Sequence, residues 1–148
     1  MAELTRKQVP DALQNGWETY VQRFHALSPA AQSAFLAQQG YARLADLLAH
    51  VIAWWEEATP AVERLLHDPA YRSPDHDVDA FNVHAVASFR DLDEAAVQQR
   101  FEQARLALLH LVAGLPDYAF RNQQIVGRLH VEVIGHLGEH EITEQALH

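Results

Sequence analysis

Apolar residues recur every three or four positions along most of this chain, and no stretch alternates with the period of a strand. That spacing belongs to helices. Ala, Leu, Gln, Glu and Arg dominate, all good helix formers. The chain is therefore expected to be all-α. With 148 residues it has the length of one domain and can bury a core unaided.

The first helical stretch is expected from about Thr5 to Leu27, with Val9, Leu13, Trp17, Tyr20, Val21 and Phe24 at helical spacing. Pro10 marks its start or a kink. Ser28-Pro29 reads as an N-cap with proline at N1, opening a short helix about Ala30–Gln38 that Gly40 ends. A second long helix covers about Tyr41 to His67, with Leu44, Leu47, Leu48, Val51, Trp54, Trp55, Ala58, Val62 and Leu65 as its apolar positions. Pro60 is expected to kink or divide it. Asp68 to Asp77 reads as a loop. Helices then follow at about Val78–Arg90, Glu94–Ala113 (N-cap Asp93, stop Gly114) and Gln123–Leu147. Four long helices with short joins suggest an antiparallel four-helix bundle with short extra helices, one domain over 1–148.

Composition narrows the function. There is no cysteine, so disulfides, thiolate metal sites and a cysteine nucleophile are excluded. Asp+Glu outnumber Lys+Arg 20 to 11, which argues against nucleic acid as a partner. No apolar run approaches the roughly 18 residues of a membrane span. No apolar signal region opens the chain, so a cytoplasmic location is expected. Histidine is in surplus, with ten residues.

His136 and His140 stand i, i+4 apart on one helix face. At 100° per residue they fall in the stripe of Ile125, Leu129 and Val133, which should face the core. Two buried imidazoles need partners, either hydrogen-bond acceptors or a shared metal. His50 is the candidate third ligand, because Leu47 and Trp54 share its face on the second long helix. Three imidazoles with room for water are the ligand pattern of a catalytic metal site. His130 lies about 120° round the helix from His136 and should miss that site. His25, His67, His76, His84, His110 and His148 are expected in solvent, with His84 the nearest to a pocket. Trp54 and Trp55 read as core or pocket wall. Asp77, Asp79 and Asn82 read as helix capping, with a polar pocket rim as the alternative. His136-Leu-Gly-Glu139-His140 matches the inverted zinc-peptidase signature, but such enzymes need a further carboxylate ligand well downstream and a much larger domain, so a peptidase is not expected.

Three features give the chain a family likeness: His50 within Leu47 to Trp55, the final-helix pair His136 and His140, and the interval of about 86 residues between them. Together they resemble the DinB/YfiT-like superfamily. Within it, Ala49 to Glu57, Asp77 to Asn82 and Arg105 to Pro116 resemble the ClbS/DfsB branch. The resemblance implies a four-helix bundle holding a divalent metal, Zn or Ni, on His50, His136 and His140. It implies a role in stress or toxin resistance, by hydrolysis or by transfer of a low-molecular-weight thiol to an electrophilic small molecule. It also implies a homodimer. ClbS-like proteins do not all keep the three histidines that this chain has. A substrate pocket is expected from Trp54, Trp55 and Phe81, with Glu57 and Glu139 as helpers and no catalytic residue assigned. The alternatives are a bundle that binds or sequesters a small molecule without turnover, and a purely structural dimerisation bundle.

Overall fold

The computed structural model describes residues 6–142 and, among them, contains helices and no strand. The chain runs α1 (Gln8–Asp11), a π-helical segment (Ala12–Trp17), α2 (Tyr20–His25), α3 (Pro29–Gln39), α4 (Leu44–His67), α5 (Val78–Ser88), α6 (Glu94–Ala113), a 3₁₀ turn (Asp117–Arg121), α7 (Gln123–Leu129), a second π-helical segment (His130–Gly135) and α8 (His136–Glu139). The last helix stops at Glu139, capped by a non-helical His140 with Glu141 and Ile142 outside any helix, instead of continuing as expected; Thr5, Leu147 and His148 lie outside the described residues.

α4 organises the core. It packs against α6, α5, α7 and the second π segment, while α1 packs against α6 and that same π segment. The start of α4 is held from three sides. Arg43 N donates to Asp46 Oδ2 at 3.2 Å, the Arg43 guanidinium binds Asp46 Oδ1 and Leu92 O, and Ala45 N donates to Glu94 Oε1. Every residue from Leu44 to Ile52 is buried, so this half of α4 lies wholly inside the protein. Pro60 does not divide the helix, which continues to His67.

Two departures from the expected elements concern the N- and C-terminal rods. Each contains a π-helical stretch where one helix was expected. The cause is visible in the second. Trp17 Nε1 donates to Val133 O at 3.0 Å, Trp55 Nε1 to Glu132 O at 2.7 Å, and His136 Nδ1 to Glu132 O at 2.9 Å. Successive carbonyls of this turn thus serve side chains, the condition under which an i→i+5 turn is tolerated and often found at functional sites. At Gly16 the rods approach closely: a Cβ there would stand 2.3 Å from Leu137 Cδ2. Gly40 has φ +84°, the left-handed conformation that ends α3 and turns the chain into α4.

The apolar stripes fall as the period dictates. Val9, Leu13, Trp17, Tyr20 and Phe24 from the first rod meet Leu47, Leu48, Val51, Ile52, Trp55, Val62 and Leu65 of α4 in one core, closed by Phe101, Leu108 and Val112 of α6 and by Ile125, Leu129 and Val133. Trp17 sits at its centre, edge-on to Trp55 at 5.2 Å between ring centres and near Tyr20 and Phe101. Among the described residues no helix is long and apolar enough to cross a membrane.

Candidate functional site

The interior of the protein contains few ionisable side chains, and three of them are histidines. His50, His136 and His140 are each about 5–6% exposed. Their ring centres lie 5.0 Å apart for His50 and His136, 5.3 Å for His50 and His140, and 5.9 Å for His136 and His140. An α4 residue and two residues of the last rod, 86 and 90 positions later, therefore form one triangle, as the helix faces predict.

Each ring is held at Nδ1 by an oxygen. His136 Nδ1 is 2.9 Å from Glu132 O, His140 Nδ1 is 2.7 Å from Gln39 Oε1, and His50 Nδ1 is 2.7 Å from Asn82 Oδ1. A backbone carbonyl can only accept, so His136 carries its proton on Nδ1. The Gln39 amide is oriented by its own donation to Glu139 O at 3.4 Å, which turns Oε1 to His140 and sets the same tautomer there. Both rings are left with a bare lone pair on Nε2. For His140 this atom is buried and has no hydrogen-bond partner among the described residues. The His140 carbonyl meanwhile accepts from the buried Tyr20 hydroxyl at 2.6 Å, which pins the last turn to the first rod.

Burial also keeps the rings neutral. It pushes His50 down to about 4, with neighbouring His136 adding to the effect, and His140 down to about 3, with His50 and His136 adding. His136 is lowered by burial as well. At neutral pH the triangle therefore consists of three uncharged imidazoles, the form that ligates metals.

Spacing and convergence are separate questions. An imidazole ligated at about 2.0–2.1 Å has its ring centre about 3.2 Å from the ion, so tetrahedrally placed rings have centres about 5 Å apart. The three rings stand at that spacing. Their donor atoms do not converge as placed: among the described residues no group of three or more His, Cys, Asp or Glu side chains forms a set that could hold an ion. Ligation requires the rings to turn about their side-chain torsions.

A cavity of about 690 Å³ opens beside the triangle. His50 and His136 reach its wall, and His140 is not among its lining residues. Its apolar lining comes from Trp54, Leu65, Pro74, Val78 and Val131. Its charged lining includes Arg128, Glu132 and Glu139. Arg128 forms a close ion pair with Glu57, lies 3.6 Å from Glu132 Oε2, and donates to Ser73 Oγ at 3.3 Å. The 68–77 loop is thereby tied to α4 and α7.

Several sequence-predicted residues sit elsewhere. Trp54 lines the cavity, its indole against the Phe81 ring at 4.0 Å between centres with a 32° tilt. Phe81 supports that wall and does not itself line the cavity. Trp55 is fully buried in the core and turned away from it. Glu57 acts through Arg128, and Glu139 lies on the wall. His130 is exposed, and His84 is exposed and does not line the cavity. His76 is exposed, as expected, and also borders the cavity, 3.4 Å from Glu57 Oε1 and against Trp54 and Phe81.

The residue that sequence reasoning overlooked is Glu132. It is 5% exposed and one of its oxygens lacks a hydrogen-bond partner. Burial pushes its carboxyl up to about 7, which the nearby Arg128 only partly offsets. The signal was present, since Glu132 falls four residues before His136 on the same helical stripe. Comparison with known proteins finds no matching family model, no matching curated protein and no matching solved structure.

Proposed function

We propose that this chain is a metal-dependent enzyme of the DinB/YfiT-like type, built as an antiparallel four-helix bundle, in which His50, His136 and His140 hold a divalent ion, Zn or Ni. The carrying observation is the buried, unpartnered Nε2 of His140 within a triangle of three neutral imidazoles. An orphaned buried nitrogen costs about 1–3 kcal/mol, which a ligated ion would recover. Such an ion supplies Lewis acidity, lowering the pKa of water or a low-molecular-weight thiol so that either can attack an electrophilic small molecule at neutral pH.

The chain's own residues perform the rest. Trp54, Leu65 and Val131 receive the apolar body of the substrate. Glu132 and Glu139 offer carboxyl groups to the cavity, where a proton can be taken up or released. Arg128 holds Glu57 and the 68–77 loop in place over the cavity. A second reading, a bundle that sequesters a small molecule without turnover, is favoured by the donor atoms not converging as placed.

Thermal unfolding with and without added metal tests the first step. Zn²⁺ or Ni²⁺ at a thousandfold excess over its dissociation constant stabilises the fold by about 4 kcal/mol, or roughly 8–16 °C in Tm for a domain of this size. The His136→Ala/His140→Ala variant should show no such shift. Consumption of an epoxide probe by water or by added cysteine, seen only in the metal-loaded wild type, separates enzyme from sequestering bundle. A wild type indifferent to both ions, or a variant that responds equally, would overturn the metal reading.

A further inference from the structure

His50 differs from its two partners in how its Nδ1 is held. Its acceptor, like that of His140, is a side-chain amide from another helix, but here the amide oxygen is shared with a second donor. Asn82 Oδ1 lies 2.7 Å from His50 Nδ1 and 2.7 Å from Trp54 Nε1. An indole N–H can only donate, so the Asn82 atom facing it must be oxygen. The same oxygen faces His50 Nδ1, which must then carry the proton.

We infer that Asn82 is the positioning residue for His50, its amide oxygen fixing the Nδ1–H tautomer and leaving Nε2 as the nitrogen offered to the triangle. This rests on the proposed triad only in saying what the offered nitrogen is for. The placement of Asn82 is itself over-determined. Asp77 caps α5, its carboxylate accepting from Ala80 N at 3.1 Å, and α5 packs on α4. The contact of the preceding residue, Phe81, with Trp54 closes the joint. Asn82 also lines the cavity, so one oxygen links the aromatic wall to His50. The acceptor is neutral, as are Gln39 Oε1 and Glu132 O, so the three rings are oriented without negative charge being added to them. Partners of this kind are typically worth 10–100-fold in metal affinity.

The ring nitrogens report the tautomer directly. Long-range ¹H–¹⁵N correlation spectra of metal-free protein at pH 7.5 should show His50 protonated on Nδ1. In Asn82→Leu the proton should move to Nε2, the form that a free histidine side chain favours. Asn82→Asp should keep it on Nδ1, because the acceptor survives. Trp54→Phe should keep it there too, because only the other donor is removed. Asn82→Ser, which is polar but too short to reach, repeats the test if the leucine variant does not fold. Zn²⁺ titrated alone against a chromophoric chelator should bind about 10–100-fold more weakly to Asn82→Leu. His50 remaining Nδ1–H in Asn82→Leu, or shifting as far in Trp54→Phe, would overturn the assignment. Failure of the wild type to bind Zn²⁺ would overturn the proposed function instead, and leave the tautomer result standing by itself.

Discussion

Replacing Trp17 by alanine is expected to lower the unfolding free energy by about 3–5 kcal/mol, the range for truncating a large buried aromatic. Trp17 is fully buried and touches Tyr20, Trp55 and Phe101. It also donates to Val133 O in the π segment that leads into His136. Loss of that donor leaves a buried carbonyl without its side-chain partner, adding about 1 kcal/mol. Urea unfolding checks the magnitude, and Trp17→Phe separates the two parts, keeping a ring while losing the N–H. Because the π segment is held partly by this bond, the alanine variant should also bind metal more weakly. A loss below about 1.5 kcal/mol, the level of a tolerated hydrophobic swap, would contradict the central placement of Trp17.

Glu132→Gln should change stability in a strongly pH-dependent way. The Glu132 carboxyl is raised to about 7 in the folded protein, against an ordinary value near 4.5. The folded state therefore binds more protons than the unfolded state between these values. Its contribution is fully present below about 4.5 and is lost as the pH rises through 7. Between pH 5 and pH 8 the wild type should lose about 2–3 kcal/mol relative to Glu132→Gln, at 1.36 kcal/mol per pH unit. The difference between the two proteins isolates this group, which matters because the histidines act oppositely. His50 and His140, lowered to about 4 and 3, stabilise the fold above about 6.5 and lose that contribution as the pH falls through their folded values. Chemical unfolding of metal-free samples at both pH values is the measurement. A pH-independent difference would mean that the carboxyl is not buried as described.

The triangle was legible in the sequence because it depends on helical period. His136 and His140 share the stripe of Ile125, Leu129 and Val133, and His50 shares a face with Leu47 and Trp54, so helix packing alone brings them together. What holds the rings was not legible. Gln39 lies 101 residues before His140 and Asn82 lies 32 after His50, on elements whose docking no local spacing encodes. The second π segment was hidden for the same reason, since its carbonyls are engaged by Trp17 and Trp55 from elements distant in sequence. Trp54 and Trp55 illustrate the limit of pattern reading. The pair is apolar throughout, yet 100° of helix rotation sends one ring to the cavity wall and the other into the core. Glu132 was passed over because a carboxylate on an apolar stripe reads as a flank residue until its neighbours are known.

Elemental analysis of protein purified without a metal-affinity column tests the metal site most directly. About one divalent ion per chain is expected in the wild type, as for a single three-histidine site. The His136→Ala/His140→Ala variant, folded by circular dichroism, should carry none. A wild type that takes up no ion, even after dialysis against excess Zn²⁺ and Ni²⁺, would contradict the three-histidine metal site.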